Sequence, residues 1–220
     1  MRPLSSEASR RRRAGPVPCA VLIGNAPTEV GAAAMAAEAE LVVRINAARG
    51  FGGLHGTRTT HLFVVNCGGS MAERLANPRF ERSPPVEAAE TVILPIAPET
   101  DDLRDPPVPL AERAAPDARN YADEATARLR AAGKGVEVLP AALFAEAVRA
   151  AGHERLAPDT PPPSTGLIAL VWLLTTRPDH HVHAFGFAFE GWDGHAWDGE
   201  RVFFERHAAA GRLTLHSLTR

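Results

Sequence analysis

A chain of 220 residues, 45% of them hydrophobic, can bury the core of a globular domain, which excludes disorder of the whole chain. Its 24 Lys and Arg residues against 26 Asp and Glu residues leave a formal net charge of -2, so overall charge would draw it neither to nucleic acid nor to an anionic membrane. No apolar stretch approaches the ~18 residues of a spanning helix, so we predict no transmembrane segment and expect a cytoplasmic protein.

The amino terminus is basic, with arginine at each of residues 10–13. The apolar run that follows is too short for the hydrophobic region of an export signal. We therefore predict a disordered basic tail over residues 1–16 and a single α/β domain over residues 17–220. The two cysteines, Cys19 and Cys67, match no zinc or redox spacing, so we expect both to be small buried hydrophobic residues.

The first half of the chain alternates between strand-like and helix-like segments. Their hydrophobic patterns predict strands over residues 17–23, 41–46, 61–66 and 91–96, and an alanine-rich helix over residues 29–40. The rest of residues 83–118 is rich in Pro, Glu and Asp and is predicted to be a surface loop.

The second half of the chain continues the alternation. It predicts helices over residues 118–132, 140–151 and 167–174, and strands over residues 136–139 and 181–187. Alternating strands and helices of these lengths predict an α/β fold with one doubly wound, Rossmann-like sheet and flanking helices. Ligands of such sheets bind at the carboxyl ends of the strands, so polar residues there are candidate site residues.

Asparagines follow the first two predicted strands. Asn25 comes after Gly24 in a short turn, and Asn46 ends the next strand. An amide side chain offers a donor and an acceptor without charge, which suits a ribose, a phosphate or a base edge. Asparagine is also common in turns because it tolerates unusual backbone dihedrals, and both interpretations stay open. Neither Gly-x-Gly-x-x-Gly nor a Gly-Lys-Ser/Thr loop is present, so the motifs for dinucleotides and nucleoside triphosphates are missing.

A hydroxyl-rich segment precedes the most apolar predicted helix. Ser164, Thr165 and Gly166 stand where a helix would begin. Capping hydroxyls, free backbone N–H groups and the helix dipole together form an anion site that a phosphate would fit. The alternative is an ordinary helix cap in which the glycine allows close packing.

Histidines are frequent toward the carboxyl end. On the predicted strand, His181 and His183 share a face and His180 faces the other way, so at most two could converge and we predict no metal site. His195 differs because it lies in a loop rich in Gly, Trp and Asp after that strand. It is either a polar group exposed beside a ligand or a surface histidine.

Taken in order, these segments resemble the sialyltransferase family of glycosyltransferases, in the form of a short bacterial-type member. Residues 19–25, 41–46 and 56–61 resemble the large motif of the family, and residues 163–187 resemble the small motif. His195 and Glu200 reproduce the His-x-x-x-x-Glu pattern of the very small motif.

The resemblance implies a GT-A-like variant of the Rossmann-like fold and an inverting transfer of sugar. The donor would be a CMP-sugar and the acceptor a hydroxyl of a glycan or glycolipid, with no metal ion and no other cofactor. Asn25 and Asn46 would contact the CMP part of the donor. Ser164, Thr165 and Gly166 would hold its phosphate or carboxylate.

The resemblance also implies that His195 is the catalytic base. An acceptor hydroxyl is a weak nucleophile until its proton is removed, and a neutral imidazole can remove it. Glu200 would support the site by orienting a helix or the histidine, and Gly24 would support it through the turn after the first strand.

The chain departs from the family pattern in two ways. Cys19 has no cysteine partner in the small motif, which suits a reducing cytoplasm. The third family motif is not recognisable, and this favours an alternative, a non-catalytic nucleotide-sugar-binding accessory protein of the kind associated with urease operons. A hydrolase that uses the histidine on a nucleotide-binding sheet is a further alternative.

Overall fold

The computed structural model describes residues 17–219, and the tail predicted over residues 1–16 lies outside the described residues, as does Arg220. The centre of the structure is a sheet of seven strands, all of them parallel to their neighbours. The strands are β1 (Cys19–Ile23), β2 (Leu41–Ile45), β3 (Thr59–Phe63), β4 (Ala89–Leu94), β5 (Gly135–Val138), β6 (His181–Phe185) and β7 (Leu213–Leu215).

Helices connect the strands. They are α1 (Ala33–Glu38), α2 (Gly68–Ala76), α3 (Pro84–Ala88), α4 (Leu110–Arg113), α5 (Ala122–Ala131), α6 (Ala141–Ala150), α7 (Thr165–Thr176) and α8 (Trp197–Ala209). Two 3₁₀ segments, Phe80–Arg82 and Pro98–Leu103, lie in the connections around β4.

The strand order is β5-β4-β3-β2-β1-β6-β7, so the chain reverses its direction of travel at β1. The first five strands build one half of the sheet, and β6 then returns to the other side of β1. The boundary between β1 and β6 is therefore a topological switch point, where the loops that follow the two strands diverge and leave a crevice. The predicted doubly wound α/β sheet is confirmed.

Helices cover both faces of the sheet. On one face α6, α7 and α8 pack against alternate residues of the central strands, including Ala20 and Leu22 of β1. On the other face α1 covers Val21 and Ile23, while α2, α3 and α5 cover β3 and β4. Burial on both faces explains why β1 is continuously apolar rather than alternating.

The connection after β2 is held by a buried cation. Arg44 is fully buried and donates to the carbonyl oxygens of His55 (2.7 Å) and Gly56 (2.9 Å) and to Oγ1 of Thr59 (3.0 Å). Burial lowers the pKa of its guanidinium to about 10. Among residues 17–219 no carboxylate pairs with it. The glycine-rich loop thus wraps its carbonyls around a charge, which fixes the loop beside β2.

The structure departs from the predicted elements in several places. The unpredicted elements are α2, α8, β7 and, within the predicted surface loop of residues 83–118, α3 and α4, and α1 is shorter than the predicted residues 29–40. α2 begins with two glycines, which have poor helix propensity, and the burial of Met71 compensates for them. In the same way α8 contains a glycine, but it buries Phe203 and Phe204 against the sheet.

Two further expectations concern burial and the membrane. Cys19 and Cys67 are free thiols that are partly rather than fully buried, and burial raises the pKa of Cys67 to about 11. Over the described range, 17–219, no helix combines the length and apolar character that crossing a membrane requires.

Candidate functional site

A cavity of about 480 Å³ opens at the switch point, between the carboxyl ends of β1, β2 and β6 and the amino end of α7. Its volume lies in the range of small-molecule sites, roughly 300–1,000 Å³. All of the candidate residues named from the sequence line this cavity: Gly24, Asn25, Asn46, Ser164, Thr165, Gly166, His195 and Glu200.

Asn25 links the end of β1 to the connection after β2. Its Nδ2 donates to the carbonyl oxygen of Ile45 (3.0 Å), and its Oδ1 accepts from the backbone N–H of Arg49 (2.8 Å). An amide has two donor hydrogens and two acceptor lone pairs, so each end keeps one further hydrogen bond for a ligand. The Asn25 side chain therefore fixes the backbone around the cavity and can also hydrogen-bond to a ligand bound there.

Asn46 occupies the turn after β2 with φ = 49°, in the left-handed region that asparagine tolerates better than most residues. Its Oδ1 accepts from the backbone N–H of Val65 (2.9 Å), and its Nδ2 donates to Oγ1 of Thr165 (3.2 Å). Asn46 thus adopts the left-handed backbone conformation that this turn requires, as the alternative interpretation expected. It also joins β2 to the connection after β3 and to the first turn of α7.

The first turn of α7 forms one side of the cavity. Ser164 is its N-cap, and its Oγ accepts from the backbone N–H of Leu167 (3.1 Å). Among the described residues, the backbone N–H groups of Thr165 and Gly166 have no hydrogen-bond partner. They carry the positive end of the helix dipole at a surface that lines the cavity.

Gly166 is required by the packing of that wall. A Cβ at this position would lie 2.7 Å from Cε1 of Phe187. The absence of a side chain therefore lets the Phe187 ring pack directly on the start of α7, and this ring forms part of the cavity lining. Gly166 therefore allows close packing, as the alternative interpretation expected, and it also lines the cavity.

Glu200, in the first turn of α8, is almost completely buried at 1% exposure. Its two carboxylate oxygens accept from Ser164, one from the backbone N–H (2.7 Å) and one from the hydroxyl (2.6 Å). Burial raises the pKa of Glu200, and the two hydrogen bonds from Ser164 act in the opposite direction. Glu200 therefore orients the start of α7.

His195 lies in the loop between β6 and α8, half-buried between two tryptophans. The rings of Trp192 and Trp197 stand edge-on to its imidazole, each with a centroid distance of 4.9 Å. Its Nδ1 is 2.7 Å from the carbonyl oxygen of Pro162. A carbonyl can only accept, so Nδ1 carries the proton and Nε2 is the nitrogen that can accept a hydrogen bond. Burial lowers the pKa of His195, which favours this neutral form.

An aromatic wall was not predicted. Phe187, Phe189 and Trp197 line the cavity beside His195. Phe189 has φ = 54°, which strains a bulky residue, and its ring packs 5.0 Å from that of Phe204. The sequence signal was a run of aromatic residues directly after β6, where the loop must return over the carboxyl edge of the sheet.

The histidines of β6 belong to a different surface. His183 and His181 share a face of the strand, as predicted, and Nδ1 of His183 lies 3.1 Å from Nε2 of His216. His180 lies near Glu40, with Nε2 3.4 Å from the carboxylate. Within residues 17–219 no group of three or more His, Cys, Asp or Glu side chains could hold a metal ion.

No family model matches this chain. A protein of Rhizobium meliloti (strain 1021), named urease operon 23 kDa accessory protein, is 28% identical to it over 208 residues. The similarity covers 88% of this chain and 90% of the relative. The two proteins are therefore similar over nearly their whole lengths.

This similarity corrects the enzyme prediction. The relative is named as an accessory protein and not as a glycosyltransferase or a sialyltransferase. The prediction of a metal-independent CMP-sugar glycosyltransferase is therefore wrong. The predicted fold is unaffected, and the accessory interpretation agrees with the name of the relative.

Proposed function

We propose that this chain is a nucleotide-binding accessory protein, which binds the CMP part of a CMP-sugar in the switch-point cavity and does not transfer the sugar. One observation carries the proposal. Segments around residues 24–25, 46, 164–166 and 195–200 are far apart in sequence, yet all line one cavity of ligand size at the edge where α/β sheets bind ligands.

The chemistry of the cavity suits a nucleotide monophosphate. Asn25 and Asn46 have spare amide hydrogen-bonding capacity for a ribose or a base edge. The unpaired N–H groups of Thr165 and Gly166, with the dipole of α7, suit a phosphate. The Phe187 ring offers an apolar surface for a base. The choice of CMP rests on the resemblance of these segments to sialyltransferases.

The accessory role is supported by two independent features. The first is the similarity to the Rhizobium meliloti accessory protein over most of both chains. The second is the absence of a recognisable third sialyltransferase motif after β6, where the aromatic wall of Phe187, Phe189 and Trp197 lines the cavity. No acceptor is part of the proposal.

Calorimetric titration tests the nucleotide specificity. We expect CMP to bind without added metal at least about tenfold more tightly than UMP or AMP, because differently placed donors and acceptors on the base edge leave cavity groups unpaired. A His195→Ala variant is expected to bind CMP about tenfold more weakly, since it removes the Nε2 acceptor and the contacts of the imidazole. His153→Ala, which removes a half-buried histidine outside the cavity, is the matched control.

Two results would contradict the proposal. The absence of heat with every nucleotide would show that the cavity is not a nucleotide site. Release of CMP from CMP-N-acetylneuraminic acid, followed by chromatography, would contradict the non-catalytic part and would support the hydrolase alternative. We expect the CMP-sugar to stay intact in the presence of the protein and to compete with CMP for binding.

The affinity for CMP is expected to rise as pH falls. The buried carboxylate of Glu200 holds Ser164, directly before the N–H groups proposed for the phosphate, so the ionised form repels that ligand. Burial raises the pKa of Glu200, and protonation on going to lower pH removes the repulsion. A Glu200→Gln variant imitates the neutral form, so it should bind more tightly than wild type at about pH 8 and vary less with pH.

The ligand in this experiment should not titrate itself. The methyl ester of CMP has a phosphodiester that keeps one charge between about pH 5 and pH 8, whereas CMP gains a second charge near pH ~6. Equal pH dependence in wild type and Glu200→Gln would contradict the role of Glu200 and assign the effect to another group, such as His195.

A further inference from the structure

A second cavity lies between α6, α7 and α8, at the carboxyl end of α7, whereas the proposed nucleotide cavity lies at its amino end. We call it the three-helix groove, and its volume is about 450 Å³. Its floor is apolar and consists of Val171 and Leu174 from α7 and Phe203 from α8. Arg149 of α6 and Arg206 of α8 line it from two different helices.

The two arginines of the groove are not neutralised within the described chain. Neither Arg149 nor Arg206 forms an ion pair with any of residues 17–219. Glu146 also lines the groove, but no ion pair joins it to either arginine. The guanidinium of Arg206 lies 5.1 Å from the centroid of the Phe203 ring, directly against the apolar floor. A positive group is thus held at the boundary between solvent and an apolar surface.

His207 also lines the groove and packs against its floor. Its ring packs 4.5 Å from that of Phe203. Burial lowers the pKa of His207, and the charges of Arg206 and Arg212 lower it further. The lining of the groove holds two arginines and one carboxylate, Glu146, so its charged side chains favour a negative ligand.

We propose that the three-helix groove binds a small anionic amphiphile, with a phosphate or carboxylate headgroup between Arg149 and Arg206 and an apolar body on the floor of Val171, Leu174 and Phe203. Guanidinium groups bind such headgroups through paired hydrogen bonds, which favours arginine over a simple point charge. The volume suits a ligand of that size. This site is separate from the proposed nucleotide cavity and goes beyond that function.

Titration with hexyl phosphate tests this site. We expect saturable binding that is at least about tenfold tighter than the binding of inorganic phosphate or of hexanol, because each of these has only one of the two recognised parts. The double variant Arg149→Gln/Arg206→Gln should weaken binding of hexyl phosphate by about tenfold or more. Arg82→Gln, at an exposed arginine outside the groove, is the matched control and should change nothing.

A variant that fills the groove provides a second, independent measurement. Thr175 is exposed and lines the groove, so Thr175→Trp should block binding of hexyl phosphate without disturbing the core.

Sedimentation with vesicles that contain phosphatidic acid distinguishes a membrane lipid from a soluble ligand as the source of the anionic headgroup. Binding to the vesicles that the double variant abolishes identifies a membrane lipid, and its absence identifies a soluble ligand.

Three results would overturn the inference: no saturable binding of hexyl phosphate, equal binding of inorganic phosphate, or binding that the double arginine variant leaves intact. The last result would place the ligand elsewhere on the protein.

Discussion

A Gly24→Ala variant is expected to unfold with a free energy about 3 kcal/mol below that of the wild type and to lose measurable CMP binding. Gly24 follows β1 directly at the switch point, and a Cβ there would lie 2.2 Å from the carbonyl oxygen of Gly186. The obstacle is backbone, so no side chain can rotate away. β1 and β6 would have to separate where the backbone N–H of Gly24 donates to the carbonyl of Phe185 (2.8 Å).

Chemical denaturation followed by tryptophan fluorescence measures the loss of stability. Gly69→Ala is the matched control, because a Cβ at that position in α2 meets nothing within 4 Å. Since alanine is the better helix former, the control should equal the wild type or exceed it by up to about 1 kcal/mol. A Gly24→Ala protein that is as stable as the wild type and binds CMP equally well would show that the contact between β1 and β6 relaxes easily.

β1 and β2 could be predicted from the sequence because their hydrophobic patterns and the polar residues that follow them both indicate buried parallel strands. β1 and β2 are short apolar runs that end in polar residues, and burial on both faces requires such runs. Since the strands are parallel, their carboxyl ends meet at one edge, so Asn25 and Asn46 could be placed near each other without coordinates. Their internal partners could not, because the carbonyl of Ile45 and the hydroxyl of Thr165 are brought there by tertiary packing.

α8 shows why other parts of the fold were missed. Its sequence begins Trp-Asp-Gly-Glu, and the propensity of these residues favours a loop. The helix forms because Phe203 and Phe204 are buried and because the Glu200 carboxylate reaches Ser164, which is 36 residues away in sequence. A pair at that separation leaves no periodic signal. The three-helix groove was missed for the same reason, since its arginines come from two helices.

The corrected enzyme prediction has a physical explanation. The residues on which that prediction was based line one cavity, and a shared cavity does not by itself specify a reaction. His195 illustrates the difference. Its fixed tautomer and lowered pKa make Nε2 an acceptor, and a bound hydroxyl needs an acceptor whether or not its proton is ever removed.

A Ser164→Ala variant is expected to lose about 3 kcal/mol of stability above the pKa of Glu200. The hydroxyl has two roles, as N-cap acceptor for Leu167 and as donor to Oε2 of Glu200. Loss of an N-cap costs about 1 kcal/mol, and loss of a hydrogen bond to a buried charged group costs about 2 kcal/mol. Urea denaturation at about pH 8 and about pH 5 measures both contributions.

The pH dependence separates the two contributions. Burial raises the pKa of Glu200 in the folded state above its value in the unfolded chain, so its share of stability is complete below the unfolded pKa and is lost as pH rises through the folded pKa. Removal of the hydroxyl raises the folded pKa further, because the ionised form loses a donor. The loss in Ser164→Ala should therefore be smaller at the lower pH. Ser70→Ala, at an exposed serine of α2, is the control. An equal loss at both pH values would mean that the Ser164 hydroxyl acts only as the cap of α7.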